Sequence, residues 1–163
     1  MFHWFRRQST IQTSWSANVY MTQERLVVHS CSRTFNNRGW YNQPVFQLPV
    51  DAAPADIGNR LRDALNASVW DSRIDDSLLV PHPIVIKSGF KSWDSLERNS
   101  RLVNIGTDKE LILMSPCRAA RRGEGKGFIG LDATITVHWT ASDADVGHAL
   151  LSACRQAVGM NER

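Results

Sequence analysis

The sequence predicts an α+β fold: a single domain with a mostly antiparallel sheet and helices packed against it, built from two β-hairpin–β–α repeats. Three observations carry that expectation. Ala55-Asp56-Ile57-Gly58-Asn59-Arg60-Leu61-Arg62-Asp63-Ala64 is echoed by Ala144-Asp145-Val146-Gly147-His148-Ala149-Leu150-Leu151-Ser152-Ala153. Both read A-D-[IV]-G-x-x-L-x-x-A. Each copy follows an alternating apolar run, which is the period of a half-buried strand. Phe46, Leu48 and Val50 lead into the first copy, and Ile135, Val137 and Trp139 into the second. Further upstream, Glu24-Arg25-Leu26-Val27-Val28-His29-Ser30 can be laid over Lys109-Glu110-Leu111-Ile112-Leu113-Met114-Ser115, an apolar strand opened by charge in both cases.

Each repeat starts with a further strand, Ala17-Asn18-Val19-Tyr20-Met21 or Leu102-Val103-Asn104-Ile105. Thr22-Gln23 and Gly106-Thr107-Asp108 supply the turns, so each repeat opens as a β-hairpin. A polar loop follows, Arg33 to Gly39 or Arg118 to Gly127, and ends in glycine–aromatic, Gly39-Trp40 or Gly127-Phe128. The third strand and the helix come next. In the first helix Pro54 takes the opening position, where its missing N–H costs nothing. Ile57, Leu61, Ala64 and Leu65 form its apolar face. In the second helix Ser142 is the expected N-cap, with Asp145 in the first turn where a carboxylate favours the dipole. Val146, Leu150, Ala153, Cys154 and Ala157 form the matching face. A glycine inside a helix costs roughly 1 kcal/mol against alanine, so Gly58 and Gly147 predict a close approach, of helix backbone to sheet.

The repeats are expected at about 17–66 and 102–158, with an insert at 67–101, inside one domain spanning 1–163. Halves of about 50 residues would bury little core alone, and no flexible linker separates them. In the insert, Val80-Pro81-His82-Pro83 forces an extended passage and Ile84-Val85-Ile86 is a short apolar run. Ser92 then caps a short helix through Trp93, Leu96 and Glu97.

Composition narrows the function class. With 42% hydrophobic and 21% charged residues over 163 positions, the chain can bury a core without metal or disulfide staples. Cys31, Cys117 and Cys154 are odd in number and widely spaced, against both a disulfide framework and a zinc site. No apolar run approaches a membrane span. Met1-Phe2-His3-Trp4-Phe5-Arg6-Arg7 places bulky residues before positive charges, the reverse of a secretory signal, so a cytoplasmic protein is expected. A net charge of +3 is too mild to select a partner.

Motifs for chemistry are missing from the sequence. His3, His29, His82, His138 and His148 show no metal-ligand spacing, and no G-x-S-x-G elbow occurs. Gly123-Glu124-Gly125-Lys126-Gly127 lacks phosphate-loop spacing and precedes a strand rather than a helix. No catalytic residue, metal or cofactor is therefore expected. Two charged patches are candidates for a partner. Arg118, Arg121, Arg122 and Lys126 surround Glu124 and read as a mobile basic tip for carboxylate or phosphate, or as a solvated loop. Trp70 beside Asp71, Asp75 and Asp76 reads as an aromatic anchor flanked by carboxylates, or as a polar exit from the first helix. Trp93 and Trp139 are expected in the core.

The order Val45-Phe46-Gln47-Leu48, Ala55-Asp56-Ile57-Gly58, Gly89-Phe90-Lys91-Ser92-Trp93, Gly127-Phe128-Ile129 and Asp145-Val146-Gly147 resembles the small immunity proteins of bacterial contact-dependent growth inhibition systems. The resemblance runs from about Val19 to Ala157. It implies a non-enzymatic protein that binds the C-terminal toxin domain of a delivered exoprotein one-to-one and blocks it. Toxins of such systems are often nucleases, commonly directed at tRNA. The matched motifs are scaffold positions, so the resemblance transfers no toxin-contact residue. The basic balance departs from inhibitors of nucleases, which are often acidic, and only the Asp71–Asp76 patch fits that picture. No membrane and no direct nucleic-acid partner is expected. Two other classes remain open: a nucleic-acid-binding module using the Arg118–Lys126 loop with Arg6 and Arg7, and a small nuclease using His29 or His138, which a fold could pair in space.

Overall fold

Two hairpins meet edge to edge at the centre of the sheet. In a computed structural model, which describes residues 15–33, 39–69, 87–121 and 123–161, β1 (Trp15–Met21) and β2 (Arg25–Arg33) form the first hairpin. β3 (Gly39–Pro49) and α1 (Pro54–Ala67) complete the first repeat. After α2 (Trp93–Arg98), β4 (Arg101–Thr107) and β5 (Leu111–Ala119) form the second hairpin. β6 (Phe128–Gly130), β7 (Ile135–His138) and α3 (Asp143–Gln156) follow. The strand order is β3-β2-β1-β4-β5-β6, β7 also pairs with β5, and every pairing between these strands is antiparallel. The expected α+β fold is the one observed.

The two repeats face each other across β1 and β4, where Asn18, the middle residue of one strand, pairs with Asn104, the middle residue of the other. Arg25 opens β2 as Leu111 opens β5, and both strands run for nine residues. This register corrects the sequence overlay by one position. A slip of one residue exchanges the two faces of a strand. Leu26 and Val28 correspond to Ile112 and Met114, and all four are buried in the same cluster. The hairpin turns correspond too. Thr22 Oγ1 accepts from the amides of Glu24 (3.3 Å) and Arg25 (3.0 Å), and Asp108 Oδ1 from those of Glu110 (2.8 Å) and Leu111 (2.8 Å).

α1 and α3 lie side by side on one sheet face and pack onto Ala17, Val19, Leu26, Val28, Val103, Ile105, Ile112 and Met114. Their expected apolar faces are buried, Cys154 among them. The two glycines work differently from the expectation. A Cβ on Gly58 would lie within the van der Waals surface of the Asp143 carbonyl, and one on Gly147 within that of the Pro54 carbonyl. The close approach is thus helix to helix, not helix to sheet, and it is reciprocal. Arg62 ties the pair together: its Nε donates to Asp143 Oδ1 at 2.7 Å, and its Nη atoms donate to the carbonyls of Trp139 and Ala141.

α2 covers part of the other face. Ser92 Oγ accepts from the Ser95 amide at 3.2 Å, as a cap should, and Leu96 is fully buried. Tyr20, Val27, Leu102 and Cys117 form the floor beneath it, with Phe90, Trp93 and Phe128 packed around them. Trp93 and Trp139 both pack against core clusters.

Candidate functional site

The features expected at a partner surface gather where α2 meets the loop between β5 and β6, residues 120–127. The loop is closed at its base by the Ala120 amide donating to the Gly127 carbonyl at 2.8 Å. Gly123 and Gly125 have φ of 92° and 102°, a left-handed geometry that favours glycine, so the chain can reverse within a few residues. The expected basic tip is braced from inside. Arg118 Nη1 and Nη2 donate to Glu124 Oε2 and Oε1 at 2.6 and 2.9 Å, a two-pronged pair. The Arg121 amide donates to the same carboxylate at 2.7 Å. The Arg118 guanidinium first, then the Arg121 amide, hold the Glu124 carboxyl down at about 2. The same fork raises Arg118 above its ordinary value.

Across the cleft, α2 is fixed by its buried side. Trp93 stands edge-on to Tyr20, with centroids 5.7 Å apart, and Phe128 meets Tyr20 edge-on from the loop side at 6.3 Å. Trp93 Nε1 donates to Glu97 Oε1 at 2.7 Å. With that side anchored, Asp94 and Arg98 face outward. The cleft between helix and loop is about 380 Å³, and Asp94, Glu97, Arg98, Arg121, Lys126 and Met160 form much of its lining. A second cleft of about 630 Å³ lies on the other side of Arg98 and reaches Glu24, Arg25 and Arg101. There the arginines are engaged: Arg25 donates to Gln47 Oε1 (3.0 Å) and the Ser88 carbonyl (3.2 Å), and Arg101 to the Cys154 carbonyl (3.4 Å).

The structure places Arg118 near the end of β5 and Arg121, Glu124 and Lys126 in the loop that follows, with Arg118 and Glu124 bonded to each other. Trp70, Asp71, Asp75, Asp76 and Arg122 lie outside the described residues, as do Arg6 and Arg7. Arg98 was not singled out from the sequence. It reads there as an ordinary basic residue in the last turn of a short helix, and only the packing of α2 against the loop places it at the cleft.

A histidine pair for nuclease chemistry is excluded by topology. His29 is on β2 and His138 on β7, with β1, β4 and β5 between them. Four strand spacings of about 4.8 Å separate them by roughly 19 Å, too far to share one phosphate. Among the described residues no three His, Cys, Asp or Glu side chains gather as metal ligands would. No helix among those residues is long and apolar enough to cross a membrane.

No protein-family model matches the chain, and no characterised protein matches its sequence. Solved structures do match its shape. A protein of unknown function from Neisseria meningitidis, NMB0488, superposes with a TM-score of 0.71 at 16% identity, covering 92% of this chain and 99% of that one. A chain of the CdiA-CT/CdiI toxin and immunity complex from Yersinia pseudotuberculosis superposes with a TM-score of 0.62 at 19% identity, covering 86% of this chain and 97% of that one. The fold is shared with both. At such identities the likeness is one of backbone architecture.

Proposed function

We propose that this protein is an immunity protein of a contact-dependent growth inhibition system, which binds a cognate C-terminal toxin domain and neutralises it by occlusion. The observation that carries the reading is the likeness to a chain from a toxin and immunity complex, which extends over 97% of that chain. The sequence resemblance to the same class supports it from an independent direction. The architecture suits the task. The reciprocal glycine contacts and the Arg62 bonds hold the body in one shape before any partner arrives, which limits the ordering cost of association. Exposed charge on loops speeds encounter, and a few buried anchors slow dissociation. Toxins of such systems are often nucleases, commonly directed at tRNA, and a target of that kind fits a cytoplasmic inhibitor acting one-to-one.

The immunity reading expects a large exoprotein gene immediately upstream, and the test uses the C-terminal toxin domain that such a gene encodes. On this reading the purified chain forms a one-to-one complex with that domain, abolishes its activity at equimolar concentration and shows no turnover of its own. If the toxin domain kept full activity beside excess protein, the reading would fail.

A further inference from the structure

Most cations of the described surface are already engaged. Arg60 pairs with Asp63 at 3.1 Å, Arg62 with Asp143, and Arg118 with Glu124. Arg25 and Arg101 bond the groups named above, Lys87 bonds Gln43 Oε1 at 2.7 Å, and Lys109 lies 4.4 Å from the Trp15 ring centroid. Among the described residues, the exposed side chains of Lys91, Arg98, Arg121, Lys126 and Arg155 form no hydrogen bond or ion pair, and Arg98, Arg121 and Lys126 are the three of these that gather in one place. They line the same cleft. The two carboxylates there, Asp94 and Glu97, are not within ion-pair reach of them, and Glu97 accepts from Trp93 instead. Three like charges lining one cleft repel one another, with Glu124 attracting Arg121 but forming no ion pair with it, and the β5–β6 loop is braced so that they stay there. Glu124 neutralises Arg118, the cation nearest the sheet, and by fixing the turn it leaves Arg121 and Lys126 facing α2.

We infer that the cleft between α2 and the β5–β6 loop is the surface that docks the toxin, and that it takes an acidic segment of the toxin domain, gripped by Arg98, Arg121 and Lys126. This rests on the immunity reading above and adds the site and the chemistry of the partner. Arginine forks match the planar geometry of carboxylates, so the cations suit an acidic chain segment. Arg118 and Glu124 are positioning residues that shape the loop. The arrangement also explains how a basic inhibitor serves: it meets acidic protein surface rather than imitating nucleic acid.

Two measurements on the full chain test this. In the first, the ¹⁵N-labelled protein is titrated with an Asp/Glu-rich decapeptide and, separately, with a short single-stranded RNA. The peptide is expected to shift amides of residues 94–98 and 121–127 and to lose this effect in the Arg98→Gln/Arg121→Gln/Lys126→Gln variant. Stronger perturbation of the cleft by RNA, or peptide shifts elsewhere, would overturn the inference. In the second, the upstream-encoded toxin domain is the probe. The triple Gln variant is expected to bind about 100-fold more weakly, largely through a slower on-rate, and to lose most of the salt dependence. Arg155→Glu, an exposed charge on α3 away from the cleft, is expected to bind as the native chain does. If the native chain fails to bind the toxin, the immunity reading falls. If native and triple variant bind alike, the docking inference falls and the immunity reading stands.

Discussion

Gly58 and Gly147 each stand where a methyl group would collide with a carbonyl oxygen of the facing helix, so their worth can be measured one residue at a time. Glycine to alanine in a free helix stabilises by roughly 1 kcal/mol, but here α1 and α3 must separate to admit the methyl. Overpacking of that kind costs typically 1–3 kcal/mol, so Gly58→Ala and Gly147→Ala are expected to destabilise by about 2 kcal/mol each in urea unfolding. A stabilised variant would show that the helices are not in contact there. Glu124 gives a pH prediction with a definite sign. Its folded-state carboxyl is depressed from 4.5 to about 2, so the contribution of the fork is present above pH 4.5 and is lost as pH falls towards 2. NMR shifts of the loop around Glu124 should hold steady from neutral pH to about 3 and change as pH falls through about 2, while stability already declines below about 4.5. A loop that rearranged near pH 6 would contradict the bracing. Burial pushes the Cys154 thiol up to about 12 and the Cys117 thiol to about 11, so thiol reagents at pH 8 should label neither until the protein is unfolded. Rapid labelling of either in the native protein, read by mass spectrometry, would count against the packing.

At the level of elements, the helices and hairpins were legible because each is specified by short-range chemistry. Ser142 caps α3 as its sequence predicts, accepting from the Asp145 amide at 3.1 Å and donating to Asp145 Oδ2 at 2.6 Å. The apolar faces of α1 and α3 follow from 3.6-residue spacing, which needs no knowledge of the partner. What the glycines face depends on tertiary packing, and the sheet is no less reasonable from the sequence than the other helix. The overlay of the β2 strand on the β5 strand is off by one residue for a similar reason: consecutive Leu111, Ile112, Leu113 and Met114 are all apolar, so their alternation does not show which face is inner. Arg62 carries another prediction. It closes the corner between β7 and α3 and lies 5.1 Å from the Trp139 ring centroid. Arg62→Met should cost about 2 kcal/mol, since hydrogen bonds from a charged donor to the Trp139 and Ala141 carbonyls are lost. A loss below a few tenths of a kcal/mol would mean that the corner holds without it.

Across the whole molecule, a nearly symmetric body carries one asymmetric addition. The repeats supply sheet, core and paired helices, and the segment between them supplies α2, which has no counterpart in the second repeat. The candidate cleft forms where that addition meets a loop of the second repeat. This is why the site was only half readable. Arg121 and Lys126 announce themselves as part of a basic cluster, whereas Arg98 becomes relevant only once α2 lies against the loop. The proposed function rests on a fold shared with one chain of a toxin and immunity complex, and one titration tests it. Adding this protein to the toxin domain proposed as its partner, while following that domain's activity, should give a linear fall to zero at one equivalent, as expected for affinity of about nanomolar or tighter. Activity that persists undiminished through several equivalents would contradict the account at its root.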